Sequence, residues 1–142
     1  MTIRPMRMED YGGVVEVWRS AGLDYKPAGR ESRAAIERQL EHYSGSMLVA
    51  EEEGRIVGVA LGTHDYRKGW INRLAVAPDM QGCGIAKTLI AAVEGELERL
   101  GVLIFSGCII SDNEASRRLA GKAGYEWHED VEYFSKKLKP EW

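Results

Sequence analysis

The sequence predicts a mixed α/β fold in which helices cover both faces of a mostly antiparallel sheet. Two apolar segments separated by Glu53-Gly54 carry the signal of a β-hairpin, and two strand–helix units follow them. A purely parallel sheet would not begin with such a meander, so a mixed sheet is expected. The 142 residues fit one domain, residues 1–142, that is large enough to bury a sizeable core.

The first half of the chain predicts a strand, two helices and the hairpin. Glu9 and Asp10 fall in the first turn of the first helix, where acidic side chains suit the helix dipole. Gly22 ends that helix, and a loop with Pro27 leads to a second, more polar one. The expected ranges are a strand at 2–5, helices at 9–21 and 31–42, and hairpin strands at 46–51 and 55–63.

The second half predicts strands and helices in alternation. Leu89, Val93 and Leu97 recur at helical spacing in a third helix, and Gly101 ends it. The cluster from Ser111 to Glu114 offers several N-caps for a fourth helix. The expected ranges are strands at 70–76, 102–110, 125–129 and 132–138, and helices at 84–100 and 114–123. The complete order is β-α-α-β-β-β-α-β-α-β-β, with about seven strands.

Composition and charge exclude several function classes. The net charge is −3 and no basic block occurs, so nucleic acid is not an expected partner. No apolar run reaches membrane-spanning length and the N-terminus lacks the apolar core of a signal peptide, so a cytoplasmic location without a membrane is the default. Cys83 and Cys108 form no C-x-x-C pair and the three histidines are scattered, so no metal site is expected.

A glycine-rich loop between a strand and a helix is the main functional motif. Residues 81–86 read Q-x-x-G-x-A and open the third helix. Unpaired backbone N–H groups and the positive end of the macrodipole make such a helix start an anion site. The third glycine of a dinucleotide-binding loop is missing, and so is the Gly-Lys-Ser/Thr ending of a P-loop.

This loop, with Leu74-Ala75-Val76 before it, resembles the acetyl-CoA loop of the GNAT superfamily of N-acyltransferases. Other parts of the chain agree with the family pattern: Ile3-Arg4-Pro5 with Asp10, the hairpin from 48–51 to 56–58, Asn113 before the fourth helix, and Gly124-Tyr125 after it. The resemblance covers nearly the whole chain. It looks nearest to small stand-alone bacterial members of the YpeA type.

The resemblance implies acetyl-CoA as the cosubstrate and no metal. The fourth and fifth strands would splay apart, and the backbone of Leu74 and Val76 would pair with the pantetheine arm. The N–H of Leu74 would face the thioester carbonyl, and Asn113 would bind the arm near the sulfur, with Ser116 as a weak candidate acid. The implied cofactor-binding residues are Leu74, Ala75, Val76, Gln81, Gly82, Cys83, Gly84, Ile85, Ala86, Lys87, Thr88, Asn113, Ser116 and Arg117.

The implied reaction is attack of a primary amine on acetyl-CoA within a ternary complex. The chain departs from the family where protons move. Ala120 stands where a tyrosine is usual, and residues 70–73 hold no carboxylate, so the base is unknown. A non-catalytic acyl-CoA sensor using the same pocket is therefore the alternative. The acceptor pocket would include Asp24, Tyr25, His64, Asp65 and Tyr66.

The acceptor class stays open at this point. A small-molecule amine and a peptide or protein amine both suit the family, and the acidic chain mildly favours a cationic acceptor through electrostatic steering. Dimers are common among GNAT enzymes, so a homodimer is compatible with the resemblance.

Overall fold

A computed structural model describes all 142 residues and contains one five-stranded sheet in the order β1-β2-β3-β4-β5. The first four strands pair antiparallel, and β5 pairs parallel to β4. This arrangement confirms the mixed fold class. The strands are β1 (Thr2–Pro5), β2 (Met47–Glu52), β3 (Arg55–His64), β4 (Gly69–Val76) and β5 (Phe105–Ser106); the helices are α1 (Tyr11–Ser20), α2 (Arg33–Tyr43), α3 (Ile85–Arg99) and α4 (Glu114–Lys122).

Helices cover both faces of the sheet, as the sequence predicts. Side chains alternate along each strand, so Val49 and Leu61 face α1 and α2 while Leu48 and Ala60 face α3. Trp18 is completely buried on the first face. Each face holds its own apolar cluster, so the sheet is a rigid middle layer. None of the helices has both the length and the apolar composition that a membrane span requires.

Two glycines on β3 let α3 approach the sheet closely. A Cβ on Gly58 would lie 3.0 Å from Leu89 and 3.1 Å from Ile85, and one on Gly62 would lie 2.6 Å from Val93. Any side chain at these positions would push the helix outward. The glycines therefore set the distance between α3 and the sheet, and with it the position of the α3 N-terminus relative to the end of β4.

The sequence-based expectation for the last third of the chain was wrong in detail. The strand expected at 102–110 is limited to Phe105–Ser106, and the strands expected at 125–129 and 132–138 do not form, so the sheet has five strands and not seven. Alternating apolar residues give a segment strand propensity, but a ladder also needs an edge to pair with. The β5 strand has only two residues, so it offers little edge with which a further strand could pair.

An ion pair joins β1 to the entrance of α1. The Arg4 guanidinium donates to both carboxylate oxygens of Asp10 at 2.7 and 2.8 Å, and to Glu51 at 3.2 Å. Asp10 also accepts from the Arg7 N–H at 2.8 Å. Its carboxylate therefore caps the short 3-10 turn at residues 8–10 and holds Arg4, in addition to the expected dipole effect. The hydrogen bonds from Arg4 lower the pKa of Asp10.

Asp10→Asn is expected to lower the free energy of unfolding by about 1–3 kcal/mol at pH 7, because the half-buried Arg4 loses one of its two charged partners and keeps only Glu51. The depressed pKa of Asp10 means that its contribution is present above the unfolded carboxyl pKa of about 3.9 and is lost as the pH falls through the folded value. Urea denaturation at pH 7 and pH 3 measures both effects. The exposed neighbour change Glu9→Gln is the control, and an equal loss in both variants would contradict the assignment.

Candidate active site

The edge of β4 that faces β5 is open over most of its length. Parallel pairing joins only Gly69 to Phe105 and Trp70 to Ser106. Beyond Trp70 the two strands separate, and from Ile71 to Val76 this edge of β4 has no neighbouring strand. A splayed pair of strands of this kind offers backbone donors and acceptors to a ligand that can lie along them as an added strand.

A β-bulge in β4 directs the backbone at the middle of this open edge. Val59 pairs with Ala75 and Leu61 pairs with Asn72, so one residue of β3 lies opposite Arg73 and Leu74 together. Arg73 has a φ of +57°, in the left-handed region that arginine rarely adopts. Such strain persists only where the surrounding contacts hold it, and it is frequent at functional sites.

The direction of the β4 N–H groups follows from the pairing. The Ala77 N–H donates to Val57 O on β3 at 2.8 Å. Successive N–H groups of a strand point to opposite edges, so those of Val76 and Leu74 point into the gap between β4 and β5. These two backbone donors therefore lie along the edge of β4 that has no neighbouring strand.

The glycine loop carries a row of unused donors. The N–H groups from Gly82 to Lys87 donate to no acceptor in the chain, and the first helical bond of α3 runs from the Thr88 N–H to Gly84 O at 3.0 Å. Gly82 and Gly84 both have a φ of +80°, which brings the backbone round without a side chain in the way. The start of α3 therefore has the backbone geometry that favours anion binding in proteins.

Gln81 ties this loop to the open strand edge. Its side-chain amide donates to Val76 O at 3.1 Å, on the side of β4 that faces the gap. Other loop side chains are divided between core and solvent. Ile85 is buried against the sheet, whereas Cys83 and Lys87 are exposed, and the Thr88 hydroxyl donates to Gly84 O at 2.9 Å. The loop and the strand edge form one continuous surface of backbone donors.

Asn113 lies at the start of α4 and caps it. Its side-chain oxygen accepts from the Ser116 N–H at 3.0 Å, which leaves the amide N–H₂ free to donate. Arg117 turns back to its own helix start, donates to Ser111 O at 3.3 Å, and stacks over Trp127 at 4.7 Å from the ring centre. Ala120 is half-buried one turn farther along, where no hydroxyl is available.

Sequence analysis missed the buried charge cluster on the other side of the bulge. The Arg73 guanidinium stacks 4.9 Å from the centre of the Trp18 ring, donates to Asp24 O, and pairs with the Glu31 carboxylate at 3.8 Å. The Trp18 indole N–H in turn donates to Arg73 O at 3.1 Å. The side chain and the carbonyl of the strained residue are therefore both held, and burial lowers the pKa of the Arg73 guanidinium.

Glu31 is the centre of this cluster, and its side chain is only 4% exposed. Its carboxylate accepts from the Lys26 N–H at 3.2 Å and forms an ion pair with Arg30 Nε at 3.1 Å, and Tyr11 donates to its backbone carbonyl at 2.8 Å. These contacts attach the loop before α2 to β4 next to Leu74. No local motif marks Arg73, since its partners Trp18, Asp24 and Glu31 lie tens of residues away in the sequence.

The structure divides the five expected acceptor residues into two groups. Asp24 contacts Arg73 through its carbonyl, and Tyr25 lies 6.1 Å from the Trp18 ring, so both border the bulge. His64, Asp65 and Tyr66 form the turn between β3 and β4. That turn begins at the residue opposite Gly69, roughly 15 Å along the strand from Leu74.

The turn residues are engaged with one another. Asp65 accepts from the N–H groups of Arg67 and Lys68, which lowers its pKa, and His64 Nδ1 accepts from the Tyr66 N–H at 3.1 Å. The structure thus brings Asp24 and Tyr25 to the open edge and leaves the turn apart from it. No group of three or more His, Cys, Asp or Glu side chains is placed to hold a metal ion.

Arg73→Ala is expected to lower the free energy of unfolding by about 1–3 kcal/mol, because buried Glu31 loses one of its charged partners and Trp18 loses its stacked neighbour. Arg67→Ala, on the exposed turn between β3 and β4, is the matched control and should change the value by less than about 0.5 kcal/mol. Urea denaturation measures both variants. Equal free energies of unfolding in the two variants would contradict a stabilising role for the Arg73 contacts with Glu31 and Trp18.

Comparison with known proteins agrees with this geometry. Residues 13–125 match the model of the acetyltransferase (GNAT) family. Acetyltransferase plu1384 of Photorhabdus laumondii is 34% identical over 139 residues, which cover 97% of this chain and 96% of the relative. Both matches extend over most of the chain and include the loop and the open strand edge.

Solved structures share the fold at low sequence identity. The PaiA N-acetyltransferase of Thermoplasma acidophilum in complex with coenzyme A has a TM-score of 0.76 at 18% identity, over 85% of this chain and 86% of that one. The ribosomal-protein-S18-alanine N-acetyltransferase of Escherichia coli has a TM-score of 0.71 at 18% identity, over 87% and 76%. The fold, the family model and the curated relative agree, and the chain belongs to the GNAT family of acetyltransferases.

Proposed function

We propose that this protein transfers the acetyl group of acetyl-CoA to a primary amine by direct attack in a ternary complex. The observation that carries the proposal is the continuity of two donor surfaces. The open edge of β4 from Ile71 to Val76 leads through the turn at residues 78–80 into the unpaired N–H row from Gly82 to Lys87. A ligand with a strand-like amide arm and a pyrophosphate at one end matches that surface.

In this proposal the pantetheine amides pair with the backbone of Leu74 and Val76, and the Ala75 side chain between them belongs to the apolar cluster under α1 and α2. The pyrophosphate binds the N–H groups of Gly82, Cys83, Gly84, Ile85 and Ala86, and the first turn of α3 adds Lys87 and Thr88. Gln81 positions Val76 through its side-chain hydrogen bond. A solved relative of the same fold holds coenzyme A, which supports the choice of cosubstrate.

In this proposal the bulge supplies a backbone N–H that stabilises the negative charge formed on the thioester oxygen during the reaction. A thioester carbonyl near Leu74 would accept from its N–H as negative charge develops on the oxygen, and losing such a donor typically lowers the rate about a hundredfold or more. The new C–N bond forms, the C–S bond breaks, the amine releases a proton, and the thiolate leaves. Asn113 donates to the pantetheine arm near the sulfur, and Ser116 carries the one side-chain hydroxyl of α4.

The acceptor enters from the side of Asp24, Tyr25 and Arg73. These residues border Leu74 on the face of the sheet that α1 covers, away from the gap in which coenzyme A would lie. The name of one structural relative, a ribosomal-protein-S18-alanine N-acetyltransferase, describes acetylation of an alanine in a protein, which supports a peptide or protein amine as one acceptor class. The loop beside the bulge contains two carboxylates: that of Glu31 pairs with Arg73 and Arg30, whereas that of Asp24 belongs to no ion pair. We propose its neighbourhood as the place where the attacking amine loses its proton.

A non-catalytic acyl-CoA sensor is the second candidate, and a specific observation favours it. The residues of β4 before the bulge, Trp70 to Asn72, include no carboxylate, and Ala120 has no hydroxyl. A protein that lacks both proton-transfer groups could bind acetyl-CoA without transferring its acetyl group.

Release of coenzyme A thiol from acetyl-CoA, measured with a panel of amines and peptides, tests the proposal. We expect turnover with at least one acceptor and loss of coenzyme A binding in Gly84→Glu, since a carboxylate would stand where the pyrophosphate binds. Gly101→Glu is the matched control, because Gly101 also has a positive φ in open space but ends the same helix. Calorimetry with coenzyme A reads binding independently of turnover.

The outcomes separate the candidates. Binding without thiol release for every acceptor would favour the sensor. Unchanged coenzyme A affinity in Gly84→Glu would refute the placement of the pyrophosphate. Thermal stabilisation by NAD or ATP, with none by coenzyme A, would reject both candidates.

Asn113→Ser and Asn113→Ala distinguish an N-cap from a ligand. Serine preserves the cap, so it should leave the free energy of unfolding within about 0.5 kcal/mol, whereas alanine should lower it by about 1 kcal/mol. Both remove the amide donor, so both should raise KM for acetyl-CoA. Ser32→Ala, which removes the cap of α2, should lower stability alone. A normal KM in Asn113→Ser would leave Asn113 as a cap only.

A further inference from the structure

The tail after α4 ends against the loop that borders the acceptor side. A Cβ on buried Gly29 would lie 2.5 Å from Glu141 O and 3.0 Å from Trp142 Cα, so only glycine allows this contact. The Trp142 N–H donates to Lys139 O at 3.1 Å and closes the tail into a turn. The tail and the loop before α2 therefore form the two walls of a groove.

The side chains of this groove carry positive charge and no carboxylate. Its volume is about 410 Å³, and its lining is Arg30, Tyr133, Ser135, Lys136, Lys137, Leu138, Lys139 and Trp142. Lys136, Lys137 and Lys139 belong to no ion pair. This concentration of positive charge occurs in a chain whose net charge is −3. Charge complementarity therefore calls for an anionic occupant.

A chain of ion pairs connects the groove to the open edge of β4. The Arg30 Nε lies 3.1 Å from one oxygen of Glu31, and the other oxygen of Glu31 lies 3.8 Å from Arg73. Arg73 is the residue before Leu74. The groove therefore lies close to the side of Leu74 that Arg73 and Asp24 border, and an extended peptide is long enough to reach both places, whereas a compact amine is not.

We infer that this groove, the basic groove, binds an acidic segment of a peptide or protein whose terminal amine is acetylated at Leu74. The inference rests on the proposed function and adds a substrate class to it. The lysines and Arg30 attract carboxylates, and the exposed ring of Tyr133 and the half-exposed ring of Trp142 offer apolar surface to the peptide between them.

The local charge outweighs the net charge of the chain here. Charges more than about 8 Å apart are largely screened at physiological ionic strength, so a ligand in the groove experiences the nearby cations most strongly. The acidic composition alone favours a cationic acceptor, whereas the basic groove selects an anionic one at the place where the acceptor must lie.

Fluorescence anisotropy with two labelled peptides tests the inference: Ala-Glu-Glu-Glu-Glu and its glutamine counterpart, each with a blocked N-terminus so that no transfer occurs. The groove variant combines Lys136→Glu, Lys137→Glu and Lys139→Glu. The control variant combines Arg19→Glu, Arg38→Glu and Lys122→Glu, which change the net charge equally at exposed positions without ion pairs. Thermal unfolding checks that both variants fold.

We expect the acidic peptide to bind the wild type and the control variant, and to bind the groove variant about tenfold more weakly. The glutamine peptide should bind none of them. With free N-termini, the acidic peptide should show a raised KM and an unchanged kcat in the groove variant.

Equal binding of the two peptides, or equal affinity in the groove and control variants, would overturn the inference. So would tighter binding of a single-stranded RNA oligomer than of the acidic peptide. Binding of the blocked acidic peptide without acetyl transfer to the free one would uphold the groove and reject the proposed catalysis, so the two failures are distinguishable.

Discussion

The early end of pairing between β4 and β5 is the constraint on which the rest of this structure depends. A sheet edge that stops after Trp70 leaves backbone groups that must find water or a ligand. The bulge at Arg73 and Leu74 sits in the middle of that edge and determines which groups point outward. Gly58 and Gly62 then allow α3 to stand close enough for its N-terminus to continue the same surface.

The strained bulge needs support, and the buried charges provide it. Arg73 adopts a left-handed φ, and Trp18, Asp24 and Glu31 together hold its side chain and carbonyl. A buried ion pair adds little net stability, because desolvation offsets much of the attraction. Its contribution here is positional, because the same contacts that hold Arg73 also hold the loop before α2 against β4.

Local signals predicted much of this architecture, and they failed where partners are distant. Glu53 and Gly54 both have positive φ in the hairpin turn, as the dipeptide indicates, and Ser32 and Asn113 cap their helices as their residue types suggest. These features depend on neighbours within a few residues. The glycine loop before α3 is likewise a local feature, because its two positive-φ glycines and the helix that follows them are adjacent in the sequence.

The tail and the charge cluster depend on contacts that no local pattern reveals. The apolar alternation from Val131 to Phe134 predicts a strand, but those side chains are exposed because β5 is too short to pair with them. Arg73 reaches Asp24, 49 positions away, and Trp18 reaches Arg73 across 55. Only the folded chain shows that these residues meet beside Leu74.

The hydrogen bond from Gln81 to Val76 has a consequence for the protein in its unliganded state. An open strand edge can template pairing between molecules, which is a route to aggregation. The glutamine amide shields one of its carbonyls, but the donors of Leu74 and Val76 remain available to any extended chain. A small molecule that occupies them in the folded state alone would raise the folded fraction by mass action. The cellular lifetime of this chain would then follow the supply of that molecule.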